Sequence, residues 1–535
     1  MALVVLTITG AAVLGGIYGR GAAADEQRIE EQMRAYTSAL GVIESRYVDK
    51  VESDRLVYGS ISGMLQTLDP HSSFMDPKAY AQLRERQEGR YYGLGITIQV
   101  VDGDITVVSL FEGSPAYQKG IRRGDVIAEI ETANAKGWTS DQAIRKLRGP
   151  KGTSVKIALR RVGYDQLIPL EVPRDEIHIP SIPAFFMVDG GTGYVRLQDF
   201  AENTDRDLSR ALQALGEQGM KRLLLDLRGN PGGPLDQAIR VSNRFLPRGD
   251  LIVYTRGRVP NSDADYRAQD ESDYTHLPIV VLVNRSSASA SEIVSGALQD
   301  HDRAYIVGET TFGKALVQSV YKVTEGAGLA LTTARYYTPS GRLIQRAWDG
   351  TFDEYLTYTL RDQKAERPHD PKDLKYTEAG RKVYSGGGIE PDRHIEGPIE
   401  GFNPGRFARS IYGRQLFGSY SQRFSVEGDT RIQGPGKDRR TVAQSFEVDE
   451  AMVDDFRKHV TASGLKMDDA AFTAELPFIR AMIRYEIDVS LFGVATARRH
   501  LVATDPQAQA ALGLFGEAER LTELARAKAS RAGAK

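Results

Sequence analysis

Four serines, Ser286, Ser287, Ser289 and Ser291, crowd a turn between the apolar run Ile279 to Val283 and a helix-like stretch that opens near Glu292. A small-residue turn between strand and helix can present a hydroxyl nucleophile with backbone N–H groups beside it. Lys314 follows among Phe312, Gly313, Ala315, Leu316 and Val317. A lysine held there loses hydration, which favours the neutral amine, and a neutral amine can take a proton from a serine hydroxyl. His301, preceded by Asp300, offers a second base in a Ser-His-Asp arrangement. Upstream, Gly232 and Gly233 form a turn whose N–H groups can come close to a substrate carbonyl. Each feature also has a plainer reading. Serines cap helices, lysines are mostly solvated, glycine turns mostly hold no ligand, and Asp226 with Arg228 can be a structural ion pair. Residue types alone give a serine nucleophile and leave its base open.

These residues need strands and helices to bring them together. Ile279 to Val283, closed by Asn284, reads as a buried strand entering a turn. Ile293, Val294, Ala297 and Leu298 fall at helical spacing after Glu292. A second strand, Tyr305 to Val307, ends at Gly308-Glu309. Further strand-like runs cover 193–200, 222–227, 251–254 and 329–336. Helical stretches at Arg206 to Gln218 and Leu235 to Phe245 lie between them, an α/β alternation.

The run SSASASEIVSGALQD followed by VGETTFGKALVQ resembles the active-site signature of the carboxy-terminal processing peptidases, or tail-specific proteases. These are serine peptidases with a Ser-Lys dyad. The resemblance implies that Ser289 is the nucleophile and Lys314 the general base, with Gln318 orienting the lysine. A helical i, i+4 relation would put Lys314 and Gln318 on one face. The family often has Gly where Ser286 stands. LLLDLRGNPGGPLD resembles the family block DLRNNPGG, and LTTARYYTPSGRLIQ and GGGIEPD match two more blocks. The N–H groups of Gly232 and Gly233 would then join that of Ala290 in an oxyanion hole. No cofactor, metal or nucleotide is implied.

The expected architecture is an α/β multidomain chain of 535 residues. Residues 1–24 read as a signal peptide or membrane anchor, 25–88 as a helical N-terminal region, and 89–174 as a β-rich PDZ domain. Residues 175–398 read as an α/β serine-protease core and 399–535 as a helical C-terminal region. Ala2 to Tyr18 is apolar and, at about 1.5 Å per residue, roughly 25 Å long, short of a hydrocarbon core of about 30 Å. Small residues at Gly21 to Ala24 suit cleavage near Ala24. Export to the periplasm or cell envelope is therefore expected, with a retained anchor as the alternative. The chain has 69 Lys+Arg against 71 Asp+Glu and no cysteine. That balance argues against general nucleic-acid binding, and the missing cysteine excludes disulfides and thiolate chemistry. His71, in the turn LDPHSSFMDP, has no neighbouring ligands to make a metal site.

Within 89–174, Tyr92-Gly93-Leu94-Gly95-Ile96 matches the carboxylate-binding loop of PDZ domains, and GSPAYQKGIRRGDVI matches a second block. Successive N–H groups at such a loop can meet a terminal carboxylate. The strand Ile96 to Val100 would accept a peptide as an added strand, with Leu94, Ile96 and Leu147 lining its side-chain pocket. Arg148 is a candidate link from this module to the protease, or a solvated arginine. Val259 to Tyr274 and Arg361 to Lys375 read as surface loops. The amphipathic stretches of the C-terminal region lean toward a subunit contact over a packed tail. Implied partners are protein or peptide tails, a second copy of the chain, and an adaptor or activator. The rival from another class is a non-catalytic PDZ scaffold that binds tails.

Overall fold

Ile279–Val283 is buried at every residue, so its neighbours must cover both faces. It lies inside a six-stranded sheet in the order Ala184–Met187, Thr192–Arg196, Arg222–Asp226, Ile279–Val283, Tyr305–Gly308, Arg393–His394. The first pair is antiparallel and the rest are parallel. The computed structural model describes residues 28–161, 163–323, 326–348, 355–360, 369–395, 405–427 and 440–533. The expected leader, residues 1–24, and residues 361–368 of the second surface loop lie outside them.

One face of the sheet packs against helices Thr204–Glu217, Leu235–Asn243 and Ala290–Asp300, through Val195, Leu225, Val281, Leu212, Val241 and Val294. The other face is covered by the end of the chain. Val502, Ala508, Ala511, Phe515 and Ala518 pack on Phe186, Leu224, Val280, Leu282 and Val307. The helices Val494–Thr504, Pro506–Leu512 and Phe515–Gly533 thus form the second helical layer of the core, and the packed tail, not the subunit contact, is the role their buried residues show. Residues 406–427 and 440–491 build a core of their own around Phe417, Tyr420, Phe456 and Ile483.

Asp226, at the end of its strand, joins these layers. It accepts from Tyr194 Oη (2.8 Å), Arg196 (2.9 Å) and Arg228 (2.8 Å), and Arg228 also meets Asp505 at 2.6 Å. Burial alone would raise the Asp226 pKa, but the guanidiniums of Arg228 and Arg196 hold it well below the usual carboxylate range. The plain reading of Asp226 and Arg228 as a structural ion pair holds.

The β-rich module is a sheet in the order Ile96–Val101, Asp104–Leu110, Val126–Ile130, Ser154–Arg160, Ile168–Pro173. The helix Ser140–Leu147 packs on it. Thr139 starts that helix with a reciprocal capping box to Gln142. The module's entry and exit are zipped together where Arg90–Gly93 pairs antiparallel with Asp175–His178. Its Arg123 pairs with Glu486 of the C-terminal region.

The described residues from 28 to Tyr80 together with those within Ser319–Thr332 form a separate unit. There a helix spans 28–46, a second spans Ser53–Gln66, and Tyr36 Oη meets Ser60 Oγ at 2.6 Å. The predicted turn around His71 holds a short strand, Ser73–Met75, paired with Gly328–Ala330. Asp69 shapes the turn by accepting from the N–H groups of His71 and Ser72 at 2.8 Å each. Among the described residues no helix is long and apolar enough to cross a membrane, and no acidic or histidine cluster could hold a metal ion.

Candidate active site

Three turns lie at the carboxyl ends of adjacent parallel strands, the place where open α/β sheets bind ligands. They follow Arg222–Asp226, Ile279–Val283 and Tyr305–Gly308, and carry Gly232, Ser289 and Lys314 respectively. The buried Asn230, which the sequence reading passed over, stitches the first turn to the second. Its carbonyl accepts from the N–H of Ala288 and the hydroxyl of Ser291, both at 3.0 Å. Its Oδ1 accepts the N–H of Gly232 at 2.8 Å.

That bond corrects one expectation. The Gly232 N–H is already engaged, so Gly233 and Ala290 remain as the candidate pair of oxyanion donors. Gly232 is needed for space instead. Its φ is +94°, and a Cβ there would lie 2.7 Å from Ala288 O and 2.8 Å from Ala290 N. A Cβ on Gly233 would stand 2.1 Å from Phe200 O.

Ser289 is half-buried and stands immediately before the helix Ala290–Asp300. Its φ of +56° is rare for a residue with a side chain, and such strain collects at functional sites. The residue that holds it there is Glu292, which the sequence presents only as an acid in a first helical turn. Glu292 is fully buried. Its Oε2 accepts the N–H of Ser289 (2.8 Å) and of Lys314 (2.9 Å). Its Oε1 accepts the Thr311 hydroxyl (2.5 Å) and the Gly313 N–H (2.7 Å). Burial pushes its pKa up to about 7, against the pull of the four donors.

Lys314 is half-buried, and its Nζ donates to Gln318 Oε1 at 2.9 Å. The sequence expectation that these two meet is met, but not through a helix. Residues 311–315 are irregular and Gln318 lies in the strand Leu316–Lys322. In an extended chain even-spaced residues also share a face, so a spacing of four fits either geometry. The Lys314 segment is braced by Arg346 Nε on Phe312 O (2.8 Å) and by the Ala315 N–H on Gln345 Oε1 (2.8 Å). The buried Tyr336 completes the site, its hydroxyl donating to Lys314 O at 2.6 Å, with Ser289 O at 3.2 Å.

His301 does not belong to this cluster. It caps the far end of the Ala290–Asp300 helix, roughly 18 Å from Ser289 at 1.5 Å per residue. Its Nδ1 faces Glu378 at 2.9 Å and its Nε2 faces Leu251 O at 2.7 Å. Asp300 binds Arg342 and Ser340. The Ser-His-Asp alternative therefore fails on geometry.

In the β-rich module, Leu94 and Leu147 are buried in its own core, and Ile96 packs against them. Gly95 has φ +82°, and a Cβ there would strike Ser114. Arg148 is not simply solvated. Its Nη1 binds both oxygens of Glu85, at 2.8 and 2.6 Å, and its guanidinium stands 4.7 Å above the Tyr91 ring. Tyr91 is buried, and burial pushes its phenol up to about 12. The N–H groups of Gly95 and Ile96, in the loop expected to take a carboxylate, pull the other way from beside its hydroxyl.

Comparison with known proteins bears on all of these parts. Residues 191–351 match the model of peptidase family S41, residues 82–160 that of the PDZ domain, and residues 18–79 that of the activating protease CtpB N-terminal domain. A carboxy-terminal-processing protease of Bartonella bacilliformis is 40% identical over 325 residues, covering 60% of this chain and 74% of its own length. The carboxy-terminal processing protease CtpA of Bacillus subtilis is 35% identical, covering 64% of this chain and 71% of its own. Among solved structures, the photosystem II D1 C-terminal processing protease is 28% identical, covers 68% of this chain and 92% of its own, and superposes with a TM-score of 0.35.

Proposed function

The chain belongs to the carboxy-terminal processing proteases of peptidase family S41 and is a serine peptidase with a PDZ domain; from that premise we propose that Ser289 and Lys314 are its catalytic dyad. One observation carries this reading. The Nζ of Lys314 is oriented by Gln318, and its backbone is tied to that of Ser289 through a single carboxylate oxygen. The proposed sequence begins with a substrate C-terminus docking on the PDZ module at Leu94, Gly95 and Ile96. Ser289 Oγ attacks a peptide carbonyl as Lys314 Nζ takes its proton. The N–H groups of Gly233 and Ala290 receive the oxyanion. Lys314 then protonates the leaving amine, and water, activated by the same lysine, resolves the acyl-enzyme.

The test is cleavage of an unstructured protein with an apolar C-terminal tail, followed by mass spectrometry with and without a PDZ-binding peptide. Wild type is expected to cut, and Ser289→Ala and Lys314→Ala to be silent. Cleavage by Lys314→Ala at the wild-type rate would end the dyad reading.

We further propose that the protein acts outside the cytoplasm. The apolar stretch Ala2 to Tyr18 and the small residues before Asp25 support an exported enzyme of the periplasm or envelope. N-terminal sequencing of membrane and soluble fractions decides between a cleaved leader and a retained anchor. The proposed partners are substrate tails, an adaptor or activator, and a second copy of the chain. The exposed side chains Ile29, Met33, Tyr36, Ile43 and Tyr47 recur at multiples of three- and four-residue steps along 28–47, which supports a helix-to-helix contact between copies. Placing glutamates at Met33 and Ile43 is expected to lower the mass measured by light scattering. An unchanged mass refutes that contact.

A further inference from the structure

Ser289 caps the helix Ala290–Asp300 with a positive φ, its carbonyl already accepting the N–H groups of Glu292 (2.9 Å) and Ile293 (3.0 Å), and Lys314 lies in the irregular stretch 311–315. Each residue has one N–H and one carbonyl, and two buried side chains reach groups of both residues. Both N–H groups go to the same oxygen, Glu292 Oε2. Both carbonyls face the same hydroxyl, that of Tyr336, with the shorter bond to Lys314. Glu292 comes from the serine helix and Tyr336 from the strand Gly328–Tyr337. The second oxygen of Glu292 holds Thr311 and Gly313, the residues that lead into Lys314.

We infer that Glu292 and Tyr336 are positioning residues that clamp the peptide groups of nucleophile and base from two sides and so set the reach of Lys314 Nζ to Ser289 Oγ. The inference rests on the dyad reading above. Neither side chain takes part in the proton transfer; each acts through the main chain of the reacting residues. A carboxylate suits one side because the four groups facing it are all donors, and only an acceptor with two oxygens can satisfy them. A phenol suits the other because its single O–H can donate to the Lys314 carbonyl at 2.6 Å while resting 3.2 Å from the helix-bonded carbonyl of Ser289. Misplacement of a reacting group by about 1 Å can cost on the order of a hundredfold in rate.

Glu292→Gln keeps the shape but sets an NH2 against two donors. Tyr336→Phe keeps the ring and removes the hydroxyl. Each is expected to lower kcat by about 10- to 100-fold with KM within about twofold of wild type. Labelling of Ser289 by a fluorophosphonate probe should slow in step. Because both residues set one spacing, the double variant should lose less than the product of the single losses. Affinity for a tail peptide and the thermal transition of Tyr336→Phe should stay near wild type, which a purely structural role would not predict alongside lost kcat.

Wild-type kcat in both variants, with Lys314→Ala inactive, overturns the clamp and leaves the dyad standing. Activity in Lys314→Ala overturns the dyad itself. Should Glu292→Gln fail to fold, Tyr336→Phe decides. Losses that multiply fully in the double variant would also count against a shared clamp.

Discussion

Gly232 and Glu292 show how little freedom the reacting residues have. A methyl group on Gly232 would press on Ala288 O and on the N of Ala290, one of the two proposed oxyanion donors. Gly232→Ala is expected to cost about 2.7–4 kcal/mol of barrier, or roughly 10²–10³ in kcat, the range for losing one oxyanion donor. Kinetics with a folded variant, checked by circular dichroism, measure it. Glu292 gives a pH signature. Its native pKa of about 7 lies above the ordinary 4.5. The stability this group contributes is therefore fully present below about pH 4.5 and is lost as pH rises through about 7. The form that accepts all four donors is the ionised one, so activity should rise over the interval in which this contribution falls. The neighbouring titratable groups are Lys314 and Tyr336, and burial first, then the charge of Glu292, hold the Tyr336 phenol well above its usual value. The melting temperature of wild type should fall more between about pH 5 and pH 8 than that of Glu292→Gln. Equal slopes would refute the assignment. Nothing in the sequence separates Glu292 from any other acid in a first helical turn. Residue types offered a serine turn but left its base open, and Ser289 and Lys314 were singled out only by the resemblance of their segments to the peptidase signature.

The helix Ala290–Asp300 carries Ser289 at one end and is closed by His301 at the other. Burial alone would lower the His301 pKa, but its hydrogen bonds to Glu378 and Leu251 O, with Asp250 nearby, raise it above 6.5. The stability it contributes is fully present below about pH 6.5 and lost as pH rises through the raised value. His301→Gln should cost about 1–2 kcal/mol near pH 6 and less near pH 9, read from denaturant curves, and should leave cleavage intact. Strands and helices differed in how far the sequence revealed them. Ile279–Val283 is five branched apolar residues buried on both faces, so it was legible. The i, i+4 spacing of Lys314 and Gln318 reads as helical, but a four-residue spacing serves both geometries and Gln318 lies in the strand Leu316–Lys322. The strand Ser73–Met75 was missed because its partner, Gly328–Ala330, is far away in the chain.

For the molecule as a whole, the C-terminal helices matter most. Their amphipathic pattern showed that they bury a face but not against what, because the covering residues Phe186, Leu224, Val280 and Leu282 lie hundreds of positions upstream. A chain ending before Val494 would expose that face. At about 1.5–3 kcal/mol per large side chain uncovered, the loss is comparable with the whole stability of a domain, about 5–15 kcal/mol. Such a truncation should express as aggregate and show no cooperative melt. A soluble, active product would place these helices outside the core. The assembly of the site has a consequence for the life of the protein. The glycine turn, the serine, the lysine and the clamping tyrosine are contributed in chain order by four separate segments, and the layer that seals the sheet beneath them is made last. A nascent chain that has not yet reached Val494 is therefore expected to be inert toward the proteins around it, and a released fragment ending there should cleave nothing.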